Sequence, residues 1–394
     1  MKEIKKYILK YENELLESIV PFWEKNCIDK EYGGYFTFLD RDGSVYDTTK
    51  YMWMQWRIVY MFTELYLSKY RQDRWLDIAV QGYNFLTKYG KDKSGIYYFA
   101  LNRKGVPAVA PYNIYSNCFA AMGAASLYKA TGEKKYKKEA ESAIRNYLKR
   151  LPNPKGKWNK AMKGKTSYLE FGHYMMLVNI GNIVKEYLGS SEFDKDIENS
   201  ISIIFKYFWQ PKYGVIFENI KKDYSIDLES CTGRHINPGH GLEAMWFLID
   251  HAVKNNKNEI ITKATEIIEK ILEFGWDKKY DGIFYFMDVL GKPHIELQWD
   301  MKLWWVHNEA AIATIYAYYL TKEEKFFKWF KKTDKYSFKH FKDKKYPEWF
   351  GYLNRRGEVT NYSKGGKWKT FFHIPRYLLK SIEIMNNIIH NEQK

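Results

Sequence analysis

The stretch YGGYFTFLDRDG (32–43) is a short aromatic strand running into a charged turn and a glycine, which reads as half of a β-hairpin. The pattern returns as GIYYFALNRKG (95–105), YGVIFENIKKD (213–223), DGIFYFMDVLGK (281–292) and EWFGYLNRRG (348–357). Gly33, Gly95, Gly214, Gly282 and Gly351 are separated by 62, 119, 68 and 69 residues, so the second gap holds two periods. The unit missing from that gap falls at NPKGKWNKAMKGKT (153–166), which has turn residues but no aromatic strand. Six units of about 65 residues therefore account for the 394-residue chain.

Each unit supplies two kinds of helix. Before most hairpins lies an amphipathic segment with a charged face that ends in an aromatic and a D-K type turn, as in FWEKNCIDKEYGG, LTKYGKDKSG and FKHFKDKKYPEW. After the hairpins come segments apolar nearly all round: MWMQWRIVYMFTELYL, NCFAAMGAASLYKA, GHYMMLVNIGNIVKEYL, GHGLEAMWFLIDHAV, NEAAIATIYAYYL and FFHIPRYLLKSIEIM. A helix apolar on all faces is buried, whereas a charged face marks a surface layer. Six inner and six outer helices in alternation predict an all-α fold, an (α/α)6 barrel with short β-hairpins in its connections. No linker rich in Pro, Gly or Ser divides the chain, so residues 1–394 read as a single catalytic domain.

Each hairpin leads into the start of an inner helix, and the polar residues there are Arg57, Asn117, His173, His240, His307 and His373. The four histidines recur at intervals of 67, 67 and 66 residues, which is the repeat length. Equivalent positions in a ring predict that they converge on its axis at one mouth. Packing has no need to repeat an ionisable group in that way, so a functional role is favoured over a structural one. His235, His251, His294, His340 and His390 fall outside this register and read as structural or surface groups. Glu243 shares a helix face with His240, and Glu309 lies two residues beyond His307. Either carboxylate suits fixing a histidine tautomer or holding a substrate hydroxyl, and Arg57 and Arg376 suit an oxyanion or a buried pair.

Such a set fits proton transfer at a carbon beside a carbonyl. Two histidines acting on opposite faces invert carbon 2 and give epimerisation, whereas one base shuttling between carbons 2 and 1 gives aldose–ketose isomerisation. Cationic neighbours stabilise the enediolate between the steps. No HExxH or similar metal-ligand pair is present, and no metal is expected.

Composition narrows the partners. Aromatic residues make up 18% of the chain, a surplus suited to stacking on sugars as well as to packing. The formal charge of +16 is mostly lysine scattered on outer-helix faces such as KKYKKEAESAIRNYLKR (134–150), without a nucleic-acid motif. Three cysteines without CxxC spacing, an N-terminus lacking an apolar signal core and no long apolar run predict a cytoplasmic protein with no membrane partner.

Seven segments, in order, resemble the N-acylglucosamine 2-epimerase family. They are LDRDGSVYDTTKYMWMQWR (39–57), IYSNCFAAM (114–122), LPNPKGKWNKA (151–161), NPGHGLEAMWFL (237–248), KLWWVHNEA (302–310), EWFGYLNRRGEV (348–359) and KGGKWKTFFHIPR (364–376). The resemblance implies cofactor-independent interconversion of N-acetyl-D-glucosamine and N-acetyl-D-mannosamine, a step of sialic acid metabolism. It also implies an acid/base pair at His240 and His373, an essential arginine at Arg57 and a glutamate at Glu309. Asn117, His173, Glu243, His307 and Arg376 complete the expected sugar site. A helix-faced homodimer is the assembly usual for the family. ATP acts on members as an allosteric effector through a loop matching 153–165, whose basic residues here are Lys155, Lys157 and Lys160. Gly164-Lys165-Thr166 ends that loop, but seven residues separate Gly156 from Gly164 where an ordinary phosphate loop has four.

Two positions depart from the family pattern. His173 stands where the epimerases usually have an apolar residue and related mannose and sulfoquinovose isomerases have histidine, and Trp56 stands where glycine is common. An aldose–ketose isomerase, or an epimerase of an unacylated sugar such as mannose, is therefore the near alternative. From other classes, an (α/α)6 glycoside hydrolase would use Glu243 and Glu309 across a cleft, and the renin-binding description of the mammalian relatives carries a binding role.

Overall fold

The computed structural model describes residues 2–160, 162 and 167–391. The inner helices are α3 (Met52–Leu67), α5 (Tyr115–Thr131), α7 (Phe171–Leu188), α9 (Pro238–Asn255), α11 (Trp304–Thr321) and α13 (His373–Asn391). The outer layer holds α1 (Lys2–Asn13), which runs through a π-helical turn into α2 (Val20–Asn26), then α4 (Asp73–Tyr89), α6 (Lys134–Arg150), α8 (Asp194–Ile203), α10 (Asn258–Gly275) and α12 (Glu324–His340). The two layers differ as the patterning requires. α6 buries only Tyr136, Ala140, Ala143, Ile144 and Tyr147, one stripe at helical spacing, whereas α5 is buried at every position from Ser116 to Leu127.

Successive inner helices pack side by side, α3 on α5, α5 on α7 and onward to α11 on α13, while α1 packs against α13 and brings the chain ends together. Aromatic contacts complete the circle: Phe371 lies 4.7 Å from Phe62 on α3, and Tyr377 hydrogen-bonds to Tyr11 on α1. The fold is the helical barrel expected, and none of the described helices is long and apolar enough to cross a membrane.

Three of the five expected hairpins form, with strands at 38–39 and 45–47, 100–101 and 107–109, and 352–353 and 359–361. Their tips, DRDG, NRKG and NRRG, end in Gly43, Gly105 and Gly357 at φ of 91°, 92° and 86°, a left-handed conformation that glycine alone adopts freely. The other two strands pair elsewhere. Met287–Asp288 pairs with His235–Ile236, and Asn219–Lys221 pairs with Tyr168–Glu170, which gives the hairpinless third unit a borrowed partner. Among the described residues of 153–166 there is one 3-10 turn, Gly156–Trp158, and Gly164-Lys165-Thr166 lies outside the described residues.

The hairpin tips clamp neighbouring units. Asp29 takes a hydrogen bond from buried Lys50 at 2.9 Å and one from Arg103 at 3.0 Å. Asp277 does the same with Lys302 and Arg355 at 3.1 and 2.8 Å, and Asp343 with Lys364 and Arg41 at 2.9 and 2.8 Å. In each clamp the arginine sits on the hairpin tip of the following unit. Arg41, from the first unit, reaches Asp343 in the last and so closes the ring.

Candidate active site

A cavity of about 670 Å³ opens at the hairpin end of the ring. Trp53, Tyr115, Trp305, Tyr352 and Trp368 give it aromatic walls, and Arg57, His240, Glu243 and His373 are its ionisable lining deeper in. His240 lies in the first turn of α9, where Asn237 caps the helix by accepting its backbone N–H. His373 opens α13. The Trp305 ring stands 5.2 Å from the His240 ring and 5.7 Å from the His373 ring, so one indole touches both imidazoles.

Each histidine is tied to its own carboxylate. His240 Nδ1 lies 3.0 Å from Glu218 Oε2, and His373 Nδ1 lies 2.7 Å from Glu309 Oε1. A carboxylate accepts, so Nδ1–H donates in both pairs and Nε2 is the nitrogen left for the cavity. The surroundings push the two imidazoles apart. Burial lowers His240, but the charge and hydrogen bond of Glu218, helped by Glu243, outweigh it and the net shift is upward. Burial also lowers His373, and there the positive charges of Arg376 and Arg57 add to it, so His373 is held well below the usual range. Glu309 offsets little of this, because Arg376 shares the same Oε1 at 2.8 Å and Trp246 Nε1 donates to its Oε2 at 2.8 Å.

Glu243, Glu309 and His373 bring donor atoms within 4.8 Å of one another. The cation in that cluster is the Arg376 guanidinium, which bonds both carboxylates. Arg57 is different. Its guanidinium packs over Phe119 at 4.1 Å and Phe372 at 4.7 Å, and among the described residues no carboxylate is bonded to it. Burial brings its pKa down to about 9 against the pull of Glu243, which still leaves it cationic at neutral pH. A buried cation at the cavity wall with no carboxylate bonded to it suits a developing oxyanion.

Of the six ring positions, only Arg57, His240 and His373 line this cavity. His307 is fully buried away from it: Nε2 accepts the Ile283 N–H at 2.9 Å, Nδ1 faces the Leu303 carbonyl at 2.8 Å, and the ring stacks on Tyr336. Desolvation drives its pKa down to about 3, so it is a neutral structural group and the expected convergence of four histidines is corrected to two. Position within the helix does not set the difference, since His173 is third in α7 as His240 is in α9; the contacts each ring makes do, and those of His307 are to Ile283, Leu303 and Tyr336. His173 also lies outside the lining, where Gly172 takes its place, and Asn117 is buried outside it. Glu309 and Arg376 sit directly behind the wall as the partners of His373 and Glu243. Trp56 is turned outward against Tyr83 and Tyr97, so it does not shape the cavity floor. Lys155 pairs with Glu170 at 3.2 Å, and Lys157 and Lys160 are exposed.

Sequence reasoning missed Glu218. It lies in the connection between two strands, with no periodic pattern to mark it, and only the return of the chain beside α9 brings it to His240.

Known proteins resemble this chain over nearly its whole length. The N-acylglucosamine 2-epimerase (GlcNAc 2-epimerase) family matches residues 34–376. The N-acylglucosamine 2-epimerase of Mus musculus is 35% identical over 394 residues, covering 95% of this chain and 91% of its own. The solved cellobiose 2-epimerase of Bacillus thermoamylovorans superposes with a TM-score of 0.83 at 21% identity, covering 96% of this chain and 99% of its own. A solved D-mannose isomerase gives 0.81 at 19% identity, covering 97% and 98%. With these matches over nearly its whole length, the chain belongs to the N-acylglucosamine 2-epimerase family.

Proposed function

We propose that the protein is a sugar 2-epimerase that interconverts N-acetyl-D-glucosamine and N-acetyl-D-mannosamine within one barrel domain. The observation that carries the reading is the pair of imidazoles on one cavity, each tied to its own carboxylate and shifted in opposite directions. Environments that separate two titratable groups in this way assign a base and an acid. Neutral His373 takes the C2 proton of the open-chain sugar. The C–H electron pair moves into an enolate whose O1 charge is held by Arg57, and protonated His240 returns a proton to the opposite face of C2. The reverse reaction exchanges the roles. Glu243 and Glu309 are both bonded to Arg376, which argues against casting them as the free acid and base of a glycoside hydrolase.

Incubation in D2O with N-acetylglucosamine, N-acetylmannosamine, mannose and glucose, followed by NMR, tests the reading. Deuterium at C2 of an epimeric product is expected, and a ketose product or no exchange with any sugar overturns it. The same reading takes ATP as an effector at the basic segment 155–160, a homodimer as the assembly and the cytoplasm as the location. The rate with and without nucleotide and sedimentation of the purified protein test the first two.

Two further outcomes follow from the geometry. The pH profile of kcat/KM is a bell whose acid limb, set by His373, lies below the usual histidine value of about 6.5, and whose alkaline limb, set by His240, lies above it. Glu218→Gln removes the charge that holds His240 up, so the alkaline limb moves to lower pH while the acid limb stays. An unmoved alkaline limb contradicts the assignment. Gly239→Ala places a methyl 2.7 Å from two ring atoms of Trp305, which displaces the indole that touches both imidazoles. A displacement of that size lowers kcat by up to about a hundredfold, and unchanged turnover would show that Trp305 does not set the geometry.

A further inference from the structure

We propose that residues 293–301 form a recognition arm, in which Glu296 and Gln298 bind the hydroxyl-bearing end of the sugar remote from carbon 2 and the His294–His235 pair holds the arm in place. The proposal deepens the epimerase reading by assigning that site a second set of contacts.

The arm departs from the repeat. After Met287–Asp288 the chain makes a turn in which Asp288 accepts the Leu290 N–H at 2.9 Å, and it then returns to Lys302–Leu303 with neither helix nor strand between. The return is ordered from inside. The Phe286 and Tyr285 N–H groups donate to the Trp299 and Met301 carbonyls, each at 3.0 Å, and the Trp299 ring stacks on Phe284. His294 supplies the rest. Its Nδ1 accepts the Glu296 N–H at 2.9 Å, so that nitrogen is unprotonated, and in the neutral ring Nε2–H donates to His235 Nδ1 at 2.9 Å. The ring also lies parallel to Phe286. A histidine that the repeat register marks as incidental is therefore bound on both nitrogens.

The pinned segment aims polar groups at the cavity. Glu296, Gln298 and Met301 line it, whereas Leu297, between the two polar residues, is 94% exposed. Gln298 Nε2 donates to Glu296 Oε2 at 3.1 Å, which sets a carboxylate and a primary amide side by side. Among the described residues Glu296 forms no ion pair, so its acceptor capacity is not taken by a cation. A carboxylate beside an amide offers both acceptors and a donor, the set that neighbouring hydroxyls require. Depth decides which end of the sugar they meet. His373 is 7% exposed and Arg57 9%, at the reacting level, while Glu296 is exposed at the mouth. The arm thus faces the hydroxyls of carbons 4 to 6 when carbon 2 lies between the histidines.

The test separates binding from turnover. Glu296→Ala and Gln298→Ala are expected to raise KM for N-acetylglucosamine by about tenfold, with kcat changed by less than about twofold. With 4-deoxy or 6-deoxy N-acetylglucosamine, one of the two sugars should no longer distinguish wild type from variant. His294→Ala should raise KM in the same way, and His294→Gln, whose amide both donates and accepts, should recover most of it. An unchanged KM in both Glu296 and Gln298 variants, or a loss confined to kcat, overturns the arm. Tryptophan fluorescence titration with N-acetylglucosamine reads binding without turnover. A protein that binds the sugar more weakly in the Glu296 variant yet exchanges no C2 hydrogen would keep the arm and overturn the epimerase reading.

Discussion

A His373→Asn variant is expected to epimerise about a hundred- to ten-thousandfold more slowly than wild type, the range that one positioned acid/base group contributes. The expectation rests on the group's surroundings. Burial and the charges of Arg376 and Arg57 keep the imidazole neutral, and the Nδ1–H donated to Glu309 leaves Nε2 as the base. Asparagine preserves the hydrogen bond to Glu309 but has no basic nitrogen, so the variant should fold and bind sugar with kcat alone collapsing. His240→Asn should fall within the same range for the reverse reason, since Glu218 shifts that imidazole upward against burial and so favours its proton-donating form. Initial rates in each direction by a coupled assay measure both, and a variant within tenfold of wild type contradicts the paired mechanism.

The second large effect is on stability. Asp343→Ala is expected to cost about 3–5 kcal/mol in denaturant unfolding, because removing one partner of a buried pair leaves the other uncompensated. Lys364 is fully buried and holds two polar contacts, to Asp343 and to the Glu348 carbonyl, and only the first carries charge. Arg41 loses its ring-closing partner at the same time. Asp343→Ala/Lys364→Met should recover part of the loss by removing the stranded ammonium. The pH dependence has a definite sign. Burial opposes ionisation of Asp343, but hydrogen bonds from Arg41 and Lys364 prevail and hold its pKa far below that of an unfolded aspartate, and the same balance brings Asp29 down to about 2. The clamps therefore contribute fully above about pH 4, the unfolded value, and lose their contribution as pH falls below it. A wild-type protein whose stability is flat between pH 5 and 2 contradicts this account.

The barrel was legible because helices leave a strong periodic signature. The stripe of α6 and the unbroken apolar run of α5 each fix a layer without reference to any neighbour. The clamps were half visible. Arg41, Arg103 and Arg355 stood out as basic hairpin tips and Asp29 and Asp343 as parts of D-K turns, but nothing in linear order joins a tip to the preceding unit's turn. In the site, equal spacing of the histidines identified the right end of the ring but not the facing of each side chain. His307 shares the interval of His240 but not its surroundings, and its ring packs on Tyr336 away from the cavity. Glu218 and the arm were hidden for another reason: both lie in irregular chain, where position is set by contacts made after folding.

The central claim is that two histidines act on opposite faces of carbon 2, and solvent exchange in the single variants tests it most directly. In D2O, each of His240→Asn and His373→Asn retains one working base, so each should exchange the C2 hydrogen of one epimer without converting it, and the two variants should act on opposite epimers. Exchange of the same epimer by both variants, or epimerisation at the wild-type rate by either, would contradict it.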